Sequence, residues 1–280
     1  SLGDGSWRIV VRDLRKTELD PALASRIRAS FVFSGPMLAR AGRITLPIPG
    51  GDVIGGRPLD THVQGLRALG ATIELSDRSD QFHISSDALI GAGTLLQAEA
   101  SVTGTENTIM AAVFARGQTI IENAASEPHV RDLCNFLNQM GADIQGTGTN
   151  RITITGVEKL GGGEFRIGAD FMEVGSFVGA AAITGGQVRI KDASPEDLRM
   201  IRLVYERLGV CWEDAGSDIF VPAEQSLTVE SALGGRIPEI KPMPWPGFPP
   251  DLMSIAVVLG TQARGAVLLH DWMYESRFFF

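Results

Sequence analysis

Leu69-Gly70-Ala71-Thr72-Ile73, Met140-Gly141-Ala142-Asp143-Ile144 and Leu208-Gly209-Val210-Cys211-Trp212 share one pattern: the end of an amphipathic segment, a glycine, then a short strand. Glycine at such a place adopts the left-handed conformation that closes a helix. The three glycines recur at intervals of about 70 residues, so the chain reads as a repeat. A polar turn and a further strand follow each one, at Asp80-Gln81-Phe82-His83-Ile84, Asn150-Arg151-Ile152-Thr153-Ile154 and Ser217-Asp218-Ile219-Phe220-Val221. The same turn and strand are expected at Asp4-Gly5-Ser6-Trp7-Arg8-Ile9-Val10-Val11.

Moving outward, Gly42, Gly117, Gly186 and Gly265 each end an apolar helix rich in small residues and precede a strand, at 44–46, 119–121, 188–190 and 266–269. The helices before them, near 24–41, 105–116, 172–184 and 250–263, are apolar on nearly all sides and are expected to be buried. A second, more charged helix in each unit, near 60–69, 129–140 and 195–208, is expected outside. One unit is therefore helix, strand, helix, strand, turn, strand, with about four strands when the lead-in is counted. The fold class is α/β with buried helices and sheets outside them, the inverse of the usual α/β barrel. Gly161-Gly162-Gly163 predicts a boundary between domains at 1–160 and 161–280, the alternative being a glycine turn within one domain. By the phase of the repeat, the chain begins and ends in mid-unit, leaving the first unit of one domain and the end of the other incomplete.

A length of 280 residues suits roughly two domains, and 44% hydrophobic content supplies real cores. The formal charge of −8 offers no chain-wide cationic surface for nucleic acid, although a local basic pocket for a small anion is compatible with it. Cys134 and Cys211 are too few for a disulfide framework and read as buried thiols in a reducing compartment. Neither a secretory leader nor a membrane-spanning apolar run is evident, so the expectation is a soluble, cytoplasmic protein. His62, His83, His129 and His270 lack metal-ligand spacing.

The most unusual local sequence is Ile48-Pro49-Gly50-Gly51-Asp52-Val53-Ile54-Gly55-Gly56-Arg57-Pro58. Four glycines and two prolines oppose helix and strand alike, glycines let backbone amides approach an anion, and Arg57 offers a rigid fork of donors. Asp52 can carry a proton or a negative charge. Long exposed turns share this composition. The units after Gly117 and Gly186 have no comparable insertion.

Several stretches together carry a resemblance: Gly35-Pro36-Met37-Leu38-Ala39-Arg40, the loop from Pro49 to Pro58, Asp60-Thr61-His62, Thr103-Gly104-Thr105-Glu106-Asn107, Ile121-Glu122-Asn123-Ala124-Ala125, Glu127-Pro128, Phe248-Pro249-Pro250-Asp251 and Glu275-Ser276-Arg277-Phe278. Dispersed along the whole chain in one order, they resemble the UDP-N-acetylglucosamine 1-carboxyvinyltransferase family of enolpyruvyl transferases. That resemblance implies an inside-out α/β barrel of two three-unit domains with the substrates in the cleft between them. It implies transfer of the enolpyruvyl group of phosphoenolpyruvate to the 3′-hydroxyl of UDP-N-acetylglucosamine, phosphate release, and no metal or organic cofactor.

The same resemblance assigns roles. Asp52 stands where the family most often has a cysteine that donates a proton and is alkylated by fosfomycin, so an aspartate there implies resistance to the drug; the alternative is a carboxylate that only shapes the loop. Arg57 matches a contact to the phosphate of phosphoenolpyruvate, Arg28 another active-site arginine, and Asp251 the base for the sugar hydroxyl, with a helix cap as the competing role. Pro58, Leu59, Asp60, Thr61 and His62, with Val102, Thr103 and Gly104, match the segments that hold the nucleotide. Asp170 and Glu173 match acidic positions near the cleft, and capping explains them equally well. The family's lysine–asparagine pair and its later arginines have no counterpart in these 280 residues, which predicts little or no turnover by this polypeptide alone. Two other functions share these features: an enolpyruvyl transferase acting on shikimate 3-phosphate, and a paralogue that binds a nucleotide sugar without turnover.

Overall fold

The computed structural model describes residues 5–51, 54–76 and 80–280. The first unit runs through α1 (Pro21–Ala24), a 3-10 turn over Arg28–Phe33, α2 (Ser34–Ala41), β1 (Arg43–Pro47), α3 (Asp60–Ala68), β2 (Thr72–Ser76) and β3 (Gln81–Ser85). The second comprises β4 (Gly93–Leu96), α4 (Val102–Ala112), β5 (Gln118–Glu122), α5 (Pro128–Gln139), β6 (Asp143–Gln145) and β7 (Arg151–Thr155). The third holds α6 (Phe171–Thr184), β8 (Val188–Ile190), α7 (Arg199–Glu206), β9 (Glu213–Ala215) and β10 (Asp218–Val221). Then come β11 (Glu239–Ile240), α8 (Met253–Gln262) and β12 (Leu268–Leu269).

Each unit makes its own sheet by the same rule. The strand after the buried helix pairs antiparallel with the last strand of the closing hairpin, giving the orders β1-β3-β2, β4-β5-β7-β6 and β8-β10-β9. Lead-in strands add in parallel: β4 pairs with β5 and β11 with β12, and Glu18 bridges Thr45 in the same sense. The expected helix–strand–helix–hairpin unit is thus observed, with helices inside and sheets outside.

Burial follows the alternation of each strand. Ile44 and Leu46 of β1, Ile84 of β3, Ile121 of β5 and Ile152 and Ile154 of β7 are at most 1% exposed, so one face of each sheet lies on helices. The helices approach closely because their contact positions lack side chains. A Cβ on Gly35 would lie 2.4 Å from the carbonyl oxygen of Asn107, and one on Gly65 would lie 2.0 Å from Thr108 Oγ1. Gly175 and Gly179 of α6 do the same against Leu252 and Ile255. Two separate cores result, one from residues of α2–α5 and their sheets, the other from α6–α8 and theirs.

The halves meet along α5. Arg131 donates two hydrogen bonds, of 3.0 and 2.9 Å, to the buried carboxylate of Asp197, and the amide of Gly168 donates to Asp132. His129 stacks on Phe171 with ring planes 9° apart.

Four expectations are corrected. Residues 7–11 form no strand: Trp7 and Ile9 are 75% and 82% exposed, and pairing first occurs at Glu18. A single extended segment gains no ladder hydrogen bonds, and no strand among the described residues lies beside it. The strand expected at 210–212 starts at Glu213, because both backbone groups of Cys211 bond to the Gln225 side chain instead of a neighbouring strand. Helix α6 is closed by Gly185, at φ +63°, one residue before the expected Gly186. Cys134 is buried as expected, but Cys211 is exposed.

Candidate functional site

A cleft of about 640 Å³ opens between the two cores, with Arg28, Arg57 and Val102 on one wall and Trp245, Asp251 and Arg277 on the other. Ile54, Gly56, Arg57 and Pro58 of the glycine-rich segment line it. Asp52, the proposed proton donor, lies outside the described residues. Gly50 has to be glycine, since a Cβ there would sit 1.9 Å from the carbonyl oxygen of Ser25. Gly51 and Gly55, at φ +118° and +131°, hold conformations that side chains resist.

The C-terminal part of this loop is fastened from two sides. Arg28 Nη2 donates to the carbonyls of Arg57 and, at 2.8 Å, Pro58. Burial, and then the neighbouring Arg57 guanidinium, lower the Arg28 pKa, so the wall concentrates positive charge that an anionic ligand would relieve. Across the cleft, the Gly56 amide donates to Glu275 Oε1 at 3.0 Å and the Ser276 amide to the Ile54 carbonyl at 3.1 Å. The backbone amide of Glu275 itself, and then that of Gly56, hold the Glu275 pKa below its usual value. Glu275→Ala is expected to raise amide exchange at Gly56 roughly 5-fold, while Glu275→Gln, which keeps an acceptor oxygen, stays within about twofold of the parent. Hydrogen exchange read by mass spectrometry checks this.

The run from Pro58 to His62 is divided by the start of α3. Pro58 faces the cleft, whereas Leu59 and Asp60 line a separate outer groove with Val63, Gln64 and Arg67. Thr61 and His62 are buried. Asn107 Oδ1 accepts from the Gly35 amide at 2.6 Å, which fixes the amide's orientation, so its Nδ2 donates to Ser34 Oγ at 2.7 Å and to His62 Nδ1 at 3.1 Å. The His62 proton then sits on Nε2 and is donated to Thr103 Oγ1 at 3.1 Å. Burial first, and Arg28 second, lower the His62 pKa from 6.5 to about 4, so the ring is neutral and holds α3 against α4.

At the start of α4, Ser101 is the N-cap and its Oγ accepts from Gly104 N at 3.3 Å. Gly104 is buried against Thr61, leaving the amides of Val102 and Thr103, without intramolecular acceptors among the described residues, at the cleft wall. An anion placed there meets the positive end of an eleven-residue helix. Asp170, by contrast, caps α6 by accepting from Met172 N and Glu173 N, and Glu173 is exposed in its first turn.

Asp251 lies in the 3-10 turn Pro250–Leu252 that leads into α8, and its side chain caps no amide among the described residues. Its carboxylate instead receives Arg277 Nη1 at 3.0 Å and remains 59% exposed at the cleft. Arg277, Glu99 and Glu127 line the cleft although sequence reading gave them no role. Glu127-Pro128 and Glu275-Ser276-Arg277-Phe278 were the only signals, as matched text without chemistry.

Behind Glu127 lies Glu106 of α4. Burial, and then the Glu127 charge, raise its pKa from 4.5 to about 7; burial also raises that of Glu127. Between those pH values the folded chain holds a proton on Glu106 that the unfolded chain has lost, so this contribution is complete below pH 4.5 and vanishes as pH rises through 7. Glu106→Gln does not titrate. Its stability relative to the parent is therefore expected to increase by about 2 kcal/mol between pH 4.5 and 7.5, allowing for partial exposure, as measured by denaturant unfolding across that range. His62 works in the opposite sense, withdrawing stability as pH falls from 6.5 to 4.

The model of the EPSP synthase (3-phosphoshikimate 1-carboxyvinyltransferase) family matches residues 2–279. The chain belongs to the EPSP synthase family. Relatives named UDP-N-acetylglucosamine 1-carboxyvinyltransferase include those of Treponema denticola, 51% identical over 98% of this chain, and Borreliella burgdorferi, 52% identical over 98%. The chain spans 63% of the length of each of these two curated relatives. Among solved structures, the enolpyruvyl transferase NikO of Streptomyces tendae aligns with 94% of this chain and 60% of its own, at a TM-score of 0.76 and 18% identity. EPSP synthase of Acinetobacter baumannii aligns with 86% of this chain and 54% of its own, at a TM-score of 0.58 and 21% identity. These two likenesses bear on the fold, the inside-out α/β arrangement of this family. No helix among the described residues is long and apolar enough to cross a membrane.

Proposed function

We propose that this chain belongs to an enzyme that transfers the enolpyruvyl group of phosphoenolpyruvate to the 3′-hydroxyl of UDP-N-acetylglucosamine in peptidoglycan precursor synthesis. The observation that carries the reading is one cleft with Arg28, Arg57 and the α4 N-terminus on one wall and a carboxylate, Asp251, on the other. Relatives about half identical over nearly the whole chain bear the name of that activity. We further propose domains at 1–160 and 161–280, in keeping with two cores that divide between Leu160 and Ala169, and a cytoplasmic location.

In this reading the sugar hydroxyl oxygen bonds to C2 of phosphoenolpyruvate as its proton passes to Asp251, and the methylene C3 gains a proton from Asp52. The tetrahedral adduct then loses a proton from C3 and phosphate from C2, restoring the double bond in the enolpyruvyl ether. Arg57 and Arg28 offset the charge of the phosphate and carboxylate. Val102 and Thr103 amides, with Pro58 beside them, receive the diphosphate, while Leu59, Asp60, Thr61, His62 and Gly104 shape that wall from behind.

Calorimetric titration with UDP-N-acetylglucosamine, with shikimate 3-phosphate as competitor, tests the assignment alongside phosphate release with both substrates. Saturable nucleotide-sugar binding that shikimate 3-phosphate leaves unchanged is expected. Displacement by shikimate 3-phosphate would overturn the substrate, and binding without phosphate release from the intact protein would favour a non-catalytic paralogue.

A further inference from the structure

Asp271 follows β12 and does not line the cleft, yet its side chain is only 2% exposed. One carboxylate oxygen accepts from the amides of Met273 and Tyr274, at 2.9 and 3.1 Å, and closes the turn that starts there. The other lies 3.5 Å from Arg277 Nε. These two atoms, Asp271 Oδ2 and Arg277 Nε, are buried and, among the described residues, have no better partner than each other. The Arg277 guanidinium is confined further by the Tyr274 ring, 4.8 Å from its centroid, and is 12% exposed. What remains of its fork points at Asp251, at 3.0 Å.

We propose that Asp271 is a positioning residue for Asp251, acting through Arg277, whose guanidinium it holds in one orientation so that the Asp251 carboxylate is held at the cleft. The proposal rests on Asp251 being the base in the reaction assigned above. The physical reason is directional. Arg277 alone has a long, rotatable stem, and an exposed carboxylate by itself is a weak anchor. A second, buried carboxylate on the far side of the guanidinium removes that freedom, and the ring beneath it fixes the plane.

Asp271→Asn separates this role from turn closure, because its amide oxygen still accepts from Met273 and Tyr274 while the charge facing Arg277 is gone. Two readouts are needed. Nitrogen-15 NMR of the Arg277 side chain is expected to show Nε–H exchange with water at least about 10-fold faster than in the parent. In the intact enzyme, kcat for phosphate release is expected to fall about 10-fold with KM for phosphoenolpyruvate within about twofold. Arg277→Lys, which keeps a cation but loses the fork, should lower kcat similarly, and the double variant should be no worse than the poorer single. Unchanged Nε–H exchange, or independent multiplicative losses in the double variant, would overturn the proposal. So would faster exchange with unaltered kcat. Absence of phosphate release from the intact parent enzyme would instead count against the assigned reaction, and Arg277 exchange still decides whether Asp271 holds the guanidinium.

Discussion

Asn107→Leu is expected to lower the stability of the first core by about 4 kcal/mol. Asn107 is fully buried on α4, and its amide contacts three elements at once. Its oxygen receives the Gly35 amide of α2, and its nitrogen donates to the Phe31 carbonyl, Ser34 Oγ and His62 Nδ1. Leucine keeps the same number and branching of side-chain heavy atoms, so no cavity opens; the cost comes from leaving the Gly35 donor and the His62 acceptor unpaired in an apolar setting. Loss of the anchor also frees the His62 ring, which holds Thr103 at the start of α4. Urea unfolding followed by tryptophan-independent circular dichroism checks the expectation. A loss below about 1 kcal/mol would mean that water replaces these bonds and that the network is not a structural keystone.

Arg57→Leu is expected to weaken phosphoenolpyruvate binding about 100-fold, equivalent to roughly 2.7 kcal/mol, while leaving the melting temperature nearly unchanged. Arg57 is half-buried at the cleft, and no carboxylate among the described residues pairs with it. Its charge is therefore available to a ligand. Arg28 is different, because it already spends donors on the carbonyls of Arg57 and Pro58. Removing Arg28 would loosen the loop as well as the charge, whereas removing Arg57 isolates the charge. Calorimetric titration of phosphoenolpyruvate into each variant, with the exposed Arg26→Leu as a control, distinguishes these roles. Equal affinities for the Arg57 and Arg26 variants would remove Arg57 from the site.

The sequence was legible wherever a local rule fixes the outcome. Gly70, Gly141 and Gly209 take positive φ, because closing a helix ahead of a strand requires it, and their spacing exposed the repeat. The small-residue helices were readable as buried from apolar residues on nearly all their sides, and Gly35, Gly175 and Gly179 leave room there only for a neighbouring helix. Strand 7–11 was misread because a β pattern is a statement about a neighbour, and a sequence does not show whether one is there. His62 shows the same limit within the site. Its position in a matched segment suggested a contact to nucleotide, but helix α3 rotates it inward, where Asn107 and Thr103 take both ring nitrogens.

What the sequence by itself determined is the unit: which helices are buried, where each hairpin turns, and which loop departs from the pattern. These depend on residues close together in the chain. Only the tertiary structure decided which charges meet. Arg277 and Asp251 are brought to 3.0 Å, and Glu275 reaches Gly56 from the other end of the sequence, because two separately built cores face each other across a cleft. Charge pairing at that range depends on distance and burial, and neither is written in the order of the residues.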